Sequence, residues 1–308
     1  MKKLLFEKPI HQLLFSLFVV MISLLVFIFI GYALAAILAK DLATNMFLGQ
    51  YNFESEIGIA TLKYIQAIQS VGMFLVAPLL MVYFFSATPL RYLGFTRVKQ
   101  GRVYFLAVAI LLAGIPVLNA MGFFNMQLSL PSFMHGIEEW MRSSEEMATR
   151  LTASFLVSTN ISGLVVNFIL MAFIPAFGEE MLFRGVFQRI FIRWTRNIHI
   201  GIFITAFLFS AMHMQFFTFL PRLAIGVLLG YLFVWTGSIW VPIVVHFVNN
   251  AMAIAIASFS GQAFNQSFYE TVGTNSETWG YALVSAMGVS VLVFLLVQLV
   301  KMDAEKST

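Results

Sequence analysis

The sequence predicts an all-α fold: a polytopic membrane bundle of about eight transmembrane helices with both termini in the cytoplasm. Three observations carry this. First, 60% of the 308 residues are hydrophobic and 10% are charged, where a soluble chain carries about 25% charged residues. Second, apolar segments long enough to cross about 30 Å of hydrocarbon recur at 12–39, 64–86, 103–123, 159–183, 198–213, 220–236, 239–259 and 279–300. Third, with the N-terminus inside, twelve of the 18 Lys and Arg residues fall in cytoplasmic segments and five outside, and nine of the 14 acids fall outside. That is the bias expected of a bilayer-spanning chain. Helices are favoured over a barrel because the ten-residue alternating strands of a barrel are absent.

The first span follows Lys2, Lys3 and Lys8. Its apolar run is too long for a signal-peptide core, so it reads as an uncleaved span, although Ala33-Leu34-Ala35 resembles a cleavage site. The second and third spans flank a basic cytoplasmic loop with Arg91, Arg97, Lys99 and Arg102. In the 124–158 connection, Ile137, Trp140, Met141, Met147, Leu151 and Phe155 recur near helical spacing among Glu138, Glu139, Glu145 and Glu146. This pattern fits a helix lying on the outer interface, or a packed loop helix. The fourth span runs on into the amphipathic stretch Val186–Trp194, whose Arg189, Arg193 and Arg196 suit a cytoplasmic extension that turns near Asn197. The fifth span, 198–213, is the shortest. The connection 260–278 is polar, and no chemistry is visible in it. One integral membrane domain is expected, in three parts: 1–158 with three spans and the outer loop, 159–260 with the spans that carry ionisable groups, and 261–308 with the last loop, span and tail.

The small net charge of +4 does not point to nucleic acid. The bilayer is the partner the composition implies. The absence of cysteine excludes disulfides, thiolate metal sites and cysteine nucleophiles.

The fourth span holds Glu179, Glu180 and Arg184 within six residues. A charge at the bilayer centre costs about 2.5–3.5 kcal/mol on insertion scales, so each of these needs a partner or a task. Glu180 and Arg184 are four apart and can pair on one helix face, which reads most simply as a structural ion pair. Glu179 is turned about 100° away. Two of the five histidines, His213 and His246, also lie inside apolar runs, and Asn250 follows His246 on the same helix face. If the chain turns near Asn197, Glu179 lies about 27 Å back from the turn and His213 about 24 Å beyond it, so the two are nearly level. Intramembrane ionisable groups usually face the bundle interior. The economical arrangement therefore puts Glu179, Glu180, Arg184, His213, His246 and Asn250 on one polar, water-filled cavity. A lone intramembrane histidine is as often a hydrogen-bonded helix contact. Asn119, Asn167, Asn249, Gln66 and Gln69 read as interhelical hydrogen-bonding residues.

The motifs Glu179-Glu180-x-x-x-Arg184, Phe209-x-x-x-His213 and His246-x-x-x-Asn250, in this order and each in an apolar span, resemble those of the CAAX-protease and bacteriocin-processing (Abi) family of intramembrane endopeptidases. The resemblance covers about a third of the chain, from Asn160 to Ala257. It implies that Glu179 activates a water as general base and that His213 helps bind that water. His246 and Asn250 would stabilise the oxyanion, with Glu180 and Arg184 as supporting residues. The residue types suit these roles: a carboxylate at low dielectric gains basicity, and His and Asn on one helix face are fitting oxyanion donors. Glu179, His213 and His246 are equally a ligand set for a divalent metal such as zinc, although the HExxH spacing is missing. The same resemblance implies a membrane-associated peptide or protein substrate and an inner (plasma) membrane location. Two other functions fit the same polar groups. One is a proton-coupled transporter, against which stands the lack of inverted repeats. The other is a non-enzymatic membrane partner, such as a bacteriocin self-immunity protein.

Overall fold

The computed structural model describes residues 8–49, 51–156, 160–259 and 271–305. Lys2, Lys3, Lys306, the expected boundary at 158–159 and most of the 260–278 connection lie outside the described residues. Within them the chain is helical and has no strand. The helices are α1 (Pro9–Leu38), α2 (Lys40–Leu48), α3 (Glu56–Phe85), α4 (Pro89–Leu93), α5 (Gly101–Ala113), α6 (Ile115–Met126), α7 (His135–Leu156), α8 (Ile161–Thr195), α9 (Ile198–Met212), α10 (Phe219–Thr236), α11 (Trp240–Phe259) and α12 (Trp279–Glu305). Six of these, α1, α3, α8, α10, α11 and α12, are long and apolar enough to cross a membrane. The chain is a polytopic membrane protein.

Two expected segments depart from simple spans. The third bends by 42° between α5 and α6. The break falls at Gly114, and Pro116, which lacks an N–H, sits in the first turn of α6, where that donor is not needed. The fifth segment, α9, has 15 residues, about 22 Å of helix.

The chain divides into two compact units, Met1–Gly94 with Thr149–Gly201 and Phe95–Ala148 with Ile202–Thr308. In the first, α1 and α3 approach closely through small residues. A Cβ on Gly72 would stand 2.7 Å from Phe27 Cβ, and one on Gly31 would stand 2.8 Å from Ile68. Two hydroxyls fasten the contact: Ser23 donates to Gly72 O at 2.7 Å and Tyr64 to Gly31 O at 2.8 Å. Such pairing of small residues with interhelical hydrogen bonds replaces the hydrophobic drive that lipid cannot supply. Further along, Lys63 of α3 donates to Asn167 of α8 at 2.8 Å and to Phe155 O at 3.1 Å, while Asn167 donates to the same carbonyl at 2.7 Å. The end of α7 is thereby capped by side chains of two neighbouring helices.

Helix α8 has 35 residues, well beyond the roughly 20 that a span needs. Its last turns carry Arg189 and Arg193 on one side and the buried Ile190 and Phe191 on the other. The helix stops where Arg196 adopts φ 54°, and Asn197 then caps α9 by accepting the Ile200 N–H at 3.1 Å. Gly201 permits the tight return, since a Cβ there would meet the Ile192 backbone nitrogen at 2.7 Å. Two π-helical stretches, Phe168–Phe173 and Met181–Phe187, interrupt the α-helical ladder of α8. Short π segments of this kind often mark functional positions.

In the second unit α5 packs against α11 and α12, α6 against α10 and α12, and α10 against α11. Ile110 and Leu111 of α5, Leu229 and Leu232 of α10, Val245 of α11 and Leu296 of α12 form its core. Ser285 ties α12 to α5 by donating to Ala113 O at 2.5 Å. The exposed Phe29 and Leu38 of α1, and Leu283 and Phe294 of α12, are the apolar surface that lipid would cover.

Candidate active site

In the first unit, every residue from Gly178 to Gln188 is buried. The stretch includes both glutamates and the arginine, and the ion pair read from the i,i+4 spacing is formed. Arg184 Nη1 donates to Glu180 Oε1 at 2.7 Å, with both side chains 0% exposed. The guanidinium interacts electrostatically with Glu180 first and with Glu179 second. Glu179 is 7% exposed. Its height on α8 is set by the preceding residue. A Cβ at Gly178 would lie 2.6 Å from Phe74 Cβ and 3.1 Å from Phe74 O, so only glycine lets α8 come this close to α3. The contact falls where α3 is itself π-helical, at Val71–Val76.

In the second unit, α9 and α11 bring two imidazoles against one ring. The Phe209 ring lies 5.0 Å from that of His213 and 5.7 Å from that of His246, edge to face in both cases. Phe209 is fixed in turn by Gly226 of α10. A Cβ on that glycine would meet Ala206 Cβ at 3.1 Å and the Phe209 ring at 3.4 Å. The His213 Nδ1 lies 2.8 Å from the Phe209 carbonyl oxygen. A carbonyl can only accept, so Nδ1 carries the proton, and in the neutral ring Nε2 keeps its lone pair for a water or another donor. His246 is 4% exposed. Asn249, which the sequence directs away from this face, donates through Nδ2 to Asn250 Oδ1 at 3.2 Å. The Asn250 carbonyl oxygen is thereby engaged.

Three contributors to this arrangement have no local sequence signal. Phe209 stands in the motif, but its contact with both histidines depends on where α9 meets α11. Arg222, which counts as a loop charge in the sequence, donates to Gln215 Oε1 at 2.6 Å and interacts electrostatically with His213. An apolar cavity of about 330 Å³ lies beside the end of α9, walled by Phe207, Ala211, Phe216, Phe217 and Met141. Among the described residues no group of three or more His, Asp or Glu side chains is assembled to hold a metal ion. No step below is drawn through a metal.

Comparison with known proteins falls on the same stretch. Residues 161–252, from the start of α8 to the middle of α11, match the family described as type II CAAX prenyl endopeptidase Rce1-like. Over this segment the chain is similar to that family. The match contains Glu179, Glu180, Arg184, His213, His246 and Asn250, the residues of the three motifs. A relative from Bacillus subtilis (strain 168), named uncharacterized protein YpbD, is 35% identical over 92 residues, which are 29% of this chain and 44% of that one. The chain thus spans less than half the length of this curated relative. No solved structure matches it. Helices α1–α7 and α12 lie outside the matched segment.

Proposed function

We propose that this protein is an intramembrane endopeptidase of CAAX type that hydrolyses a peptide bond in a membrane-associated protein or peptide. The observation that carries the reading is the contact of His213 and His246 with Phe209 inside the matched segment. A structural histidine needs one hydrogen-bonding neighbour. Two that contact the same ring, in two separate motifs, are better explained by shared chemistry.

In this reading Glu179 removes a proton from a water held by His213 Nε2. The hydroxide attacks the carbonyl carbon of the scissile bond, and the oxygen that gains charge is held by donors from His246 and Asn250. The tetrahedral intermediate collapses with cleavage of the C–N bond, and the proton taken by Glu179 passes to the leaving amine. Water and a peptide bond are consumed, and a carboxylate and an amine are released. The pair Glu180–Arg184 holds this part of α8 rigid. The apolar cavity beside α9 suits a substrate drawn from the bilayer, and the charge bias of the loops supports a plasma-membrane protein with both ends in the cytoplasm.

The experiment is cleavage of a library of membrane-inserted peptides by the purified full chain in proteoliposomes. Wild type is expected to release fragments. Glu179→Gln and His213→Ala are each expected to lose at least two orders of magnitude in rate, the scale of a lost general base or its water-binding partner. Fragment release by Glu179→Gln at the wild-type rate overturns the assignment. Solute flux that disappears in Glu179→Gln, with no fragments from wild type, identifies a transporter instead.

A further inference from the structure

The turn that follows His213 is held by side chains far from it in sequence. Helix α9 ends at Met212, and Met214 turns the chain sharply with φ 55°, a conformation that residues other than glycine seldom adopt. Asn125 of α6 brackets the stretch beyond, donating to Phe216 O at 3.0 Å and accepting the Leu220 N–H at 2.7 Å. Ser210 donates to Phe219 O at 2.8 Å. Glu145 of α7 accepts the Phe217 N–H at 3.0 Å through one carboxylate oxygen and the Thr218 hydroxyl at 3.4 Å through the other. Around this carboxylate the Arg142 guanidinium lies 4.6 Å from the centre of the Phe217 ring, and the Trp140 and Phe216 rings are 5.1 Å apart. Neither Asn125 nor Glu145 falls in the segment that matches the family, 161–252.

We infer that Glu145 and Asn125 are positioning residues for His213. The inference rests on the reading of His213 as the water-binding imidazole. His213 is the first residue past the end of α9, and the last turn of a helix frays unless something holds the chain beyond it. Its Nδ1 bond runs to the carbonyl of Phe209, one turn back, so the direction of Nε2 is only as fixed as that final turn. A loop at the edge of a bilayer has water within reach for its N–H groups. Here the Glu145 side chain on an amphipathic helix takes that role, and an N–H bond to a carboxylate is stronger than one to a neutral acceptor. The clamp spans 72 residues between Glu145 and Phe217 and 91 between Asn125 and Phe216. It thereby couples the amphipathic helix α7 to the orientation of one imidazole. Productive geometry tolerates errors well under an ångström, and a misplacement of about 1 Å can cost 100-fold in rate.

The test uses the full chain in proteoliposomes with a membrane peptide that wild type cleaves. Glu145→Ala is expected to lower kcat about 10- to 100-fold with KM within about twofold of wild type. Glu145→Gln, which keeps an oxygen for the Phe217 N–H, is expected to recover most of that loss. Asn125→Ala should act in the same direction as Glu145→Ala. Hydrogen exchange supplies a readout independent of activity: Glu145→Ala should speed exchange at 213–218 while amides elsewhere in α9–α11 keep their protection. Unchanged exchange at 213–218 overturns the inference whatever the kinetics. So does a loss of rate that Gln does not restore and that only follows the folded fraction. The outcomes separate the two levels of the account. If Glu179→Gln and His213→Ala are inactive while Glu145→Ala turns over at the wild-type rate, positioning by Glu145 fails and the site stands. If Glu179→Gln remains active, the site itself fails.

Discussion

Removing one member of the buried pair Glu180–Arg184 should destabilise the protein far more than removing both. The Nη1–Oε1 distance is 2.7 Å and neither side chain is exposed, so at an effective dielectric of about 20 the attraction is about 6 kcal/mol. Against it stands the desolvation of two ions, several kcal/mol each, which nearly cancels the gain. Glu180→Ala deletes the attraction and leaves the guanidinium buried, at a cost of about 3–5 kcal/mol for a broken pair. The lower end of that range is expected, because Glu179 remains as the second acid acting on Arg184. Replacing the pair with Glu180→Leu and Arg184→Leu removes both the attraction and the desolvation, and should lie within about 2 kcal/mol of wild type on either side. The assay is equilibrium unfolding in mixed micelles of Glu180→Ala beside the cycle of wild type, Glu180→Leu, Arg184→Leu and the Leu/Leu double variant. A cost below about 1 kcal/mol for Glu180→Ala would refute the reasoning, as would a double variant as unstable as the sum of the singles.

Three further outcomes follow from the packing around the site. Gly178→Ala puts a methyl group 2.6 Å from Phe74 Cβ; an overpacking cost of about 1–3 kcal/mol is expected, with a larger loss for Gly178→Val, measured by the same unfolding assay. Phe209→Ala empties a buried site beside both imidazoles and should cost about 3–5 kcal/mol. Phe209→Leu fills it but forfeits the edge-to-face contacts, worth about 0.5–1.5 kcal/mol each, so it should fold well yet cleave slowly. Glu138 accepts from Arg142 at 2.6 Å and from the Leu130 N–H at 3.0 Å, and these bonds hold its carboxyl below the usual 4.5. A lowered carboxyl stabilises the fold above its unfolded value, and that contribution is lost as pH falls through the lowered one. Protection of the Leu130 amide should therefore persist at pH 5 and disappear in stronger acid, as hydrogen exchange across pH can show.

What the sequence made legible was whatever depends on spacing within one helix. The pair Glu180–Arg184 follows from a separation of four residues, and the extension of α8 to Thr195 follows from apolar residues alternating with Arg189 and Arg193 at helical period. The bend at Gly114 is a local Gly/Pro effect. It is hidden by a continuous apolar run, because hydropathy averages over the break. The π-helical stretch Met181–Phe187 was not legible, since its residues are helix formers in either ladder and neighbouring packing selects the wider one. The grip of Asn125 and Glu145 on the turn after His213 was also out of reach. Their partners lie 72 to 95 residues away in the chain, and a glutamate on an amphipathic helix reads as a solvated charge. Asn249 shows the same limit: helical spacing directs it away from Asn250, yet its amide reaches across to the adjacent side chain.

The proposed meeting of the Glu179 carboxylate with the His213 imidazole can be measured directly, because none of the 308 residues is a cysteine. Glu179→Cys combined with His213→Cys, treated in native membranes with a short bis-methanethiosulfonate linker, reports whether the two positions face one another. The account predicts efficient intramolecular cross-linking of this pair, and none when Glu179→Cys is combined with Leu283→Cys on the exposed face of α12. Two cysteines at 179 and 213 that both react with a monofunctional reagent yet never bridge would contradict it.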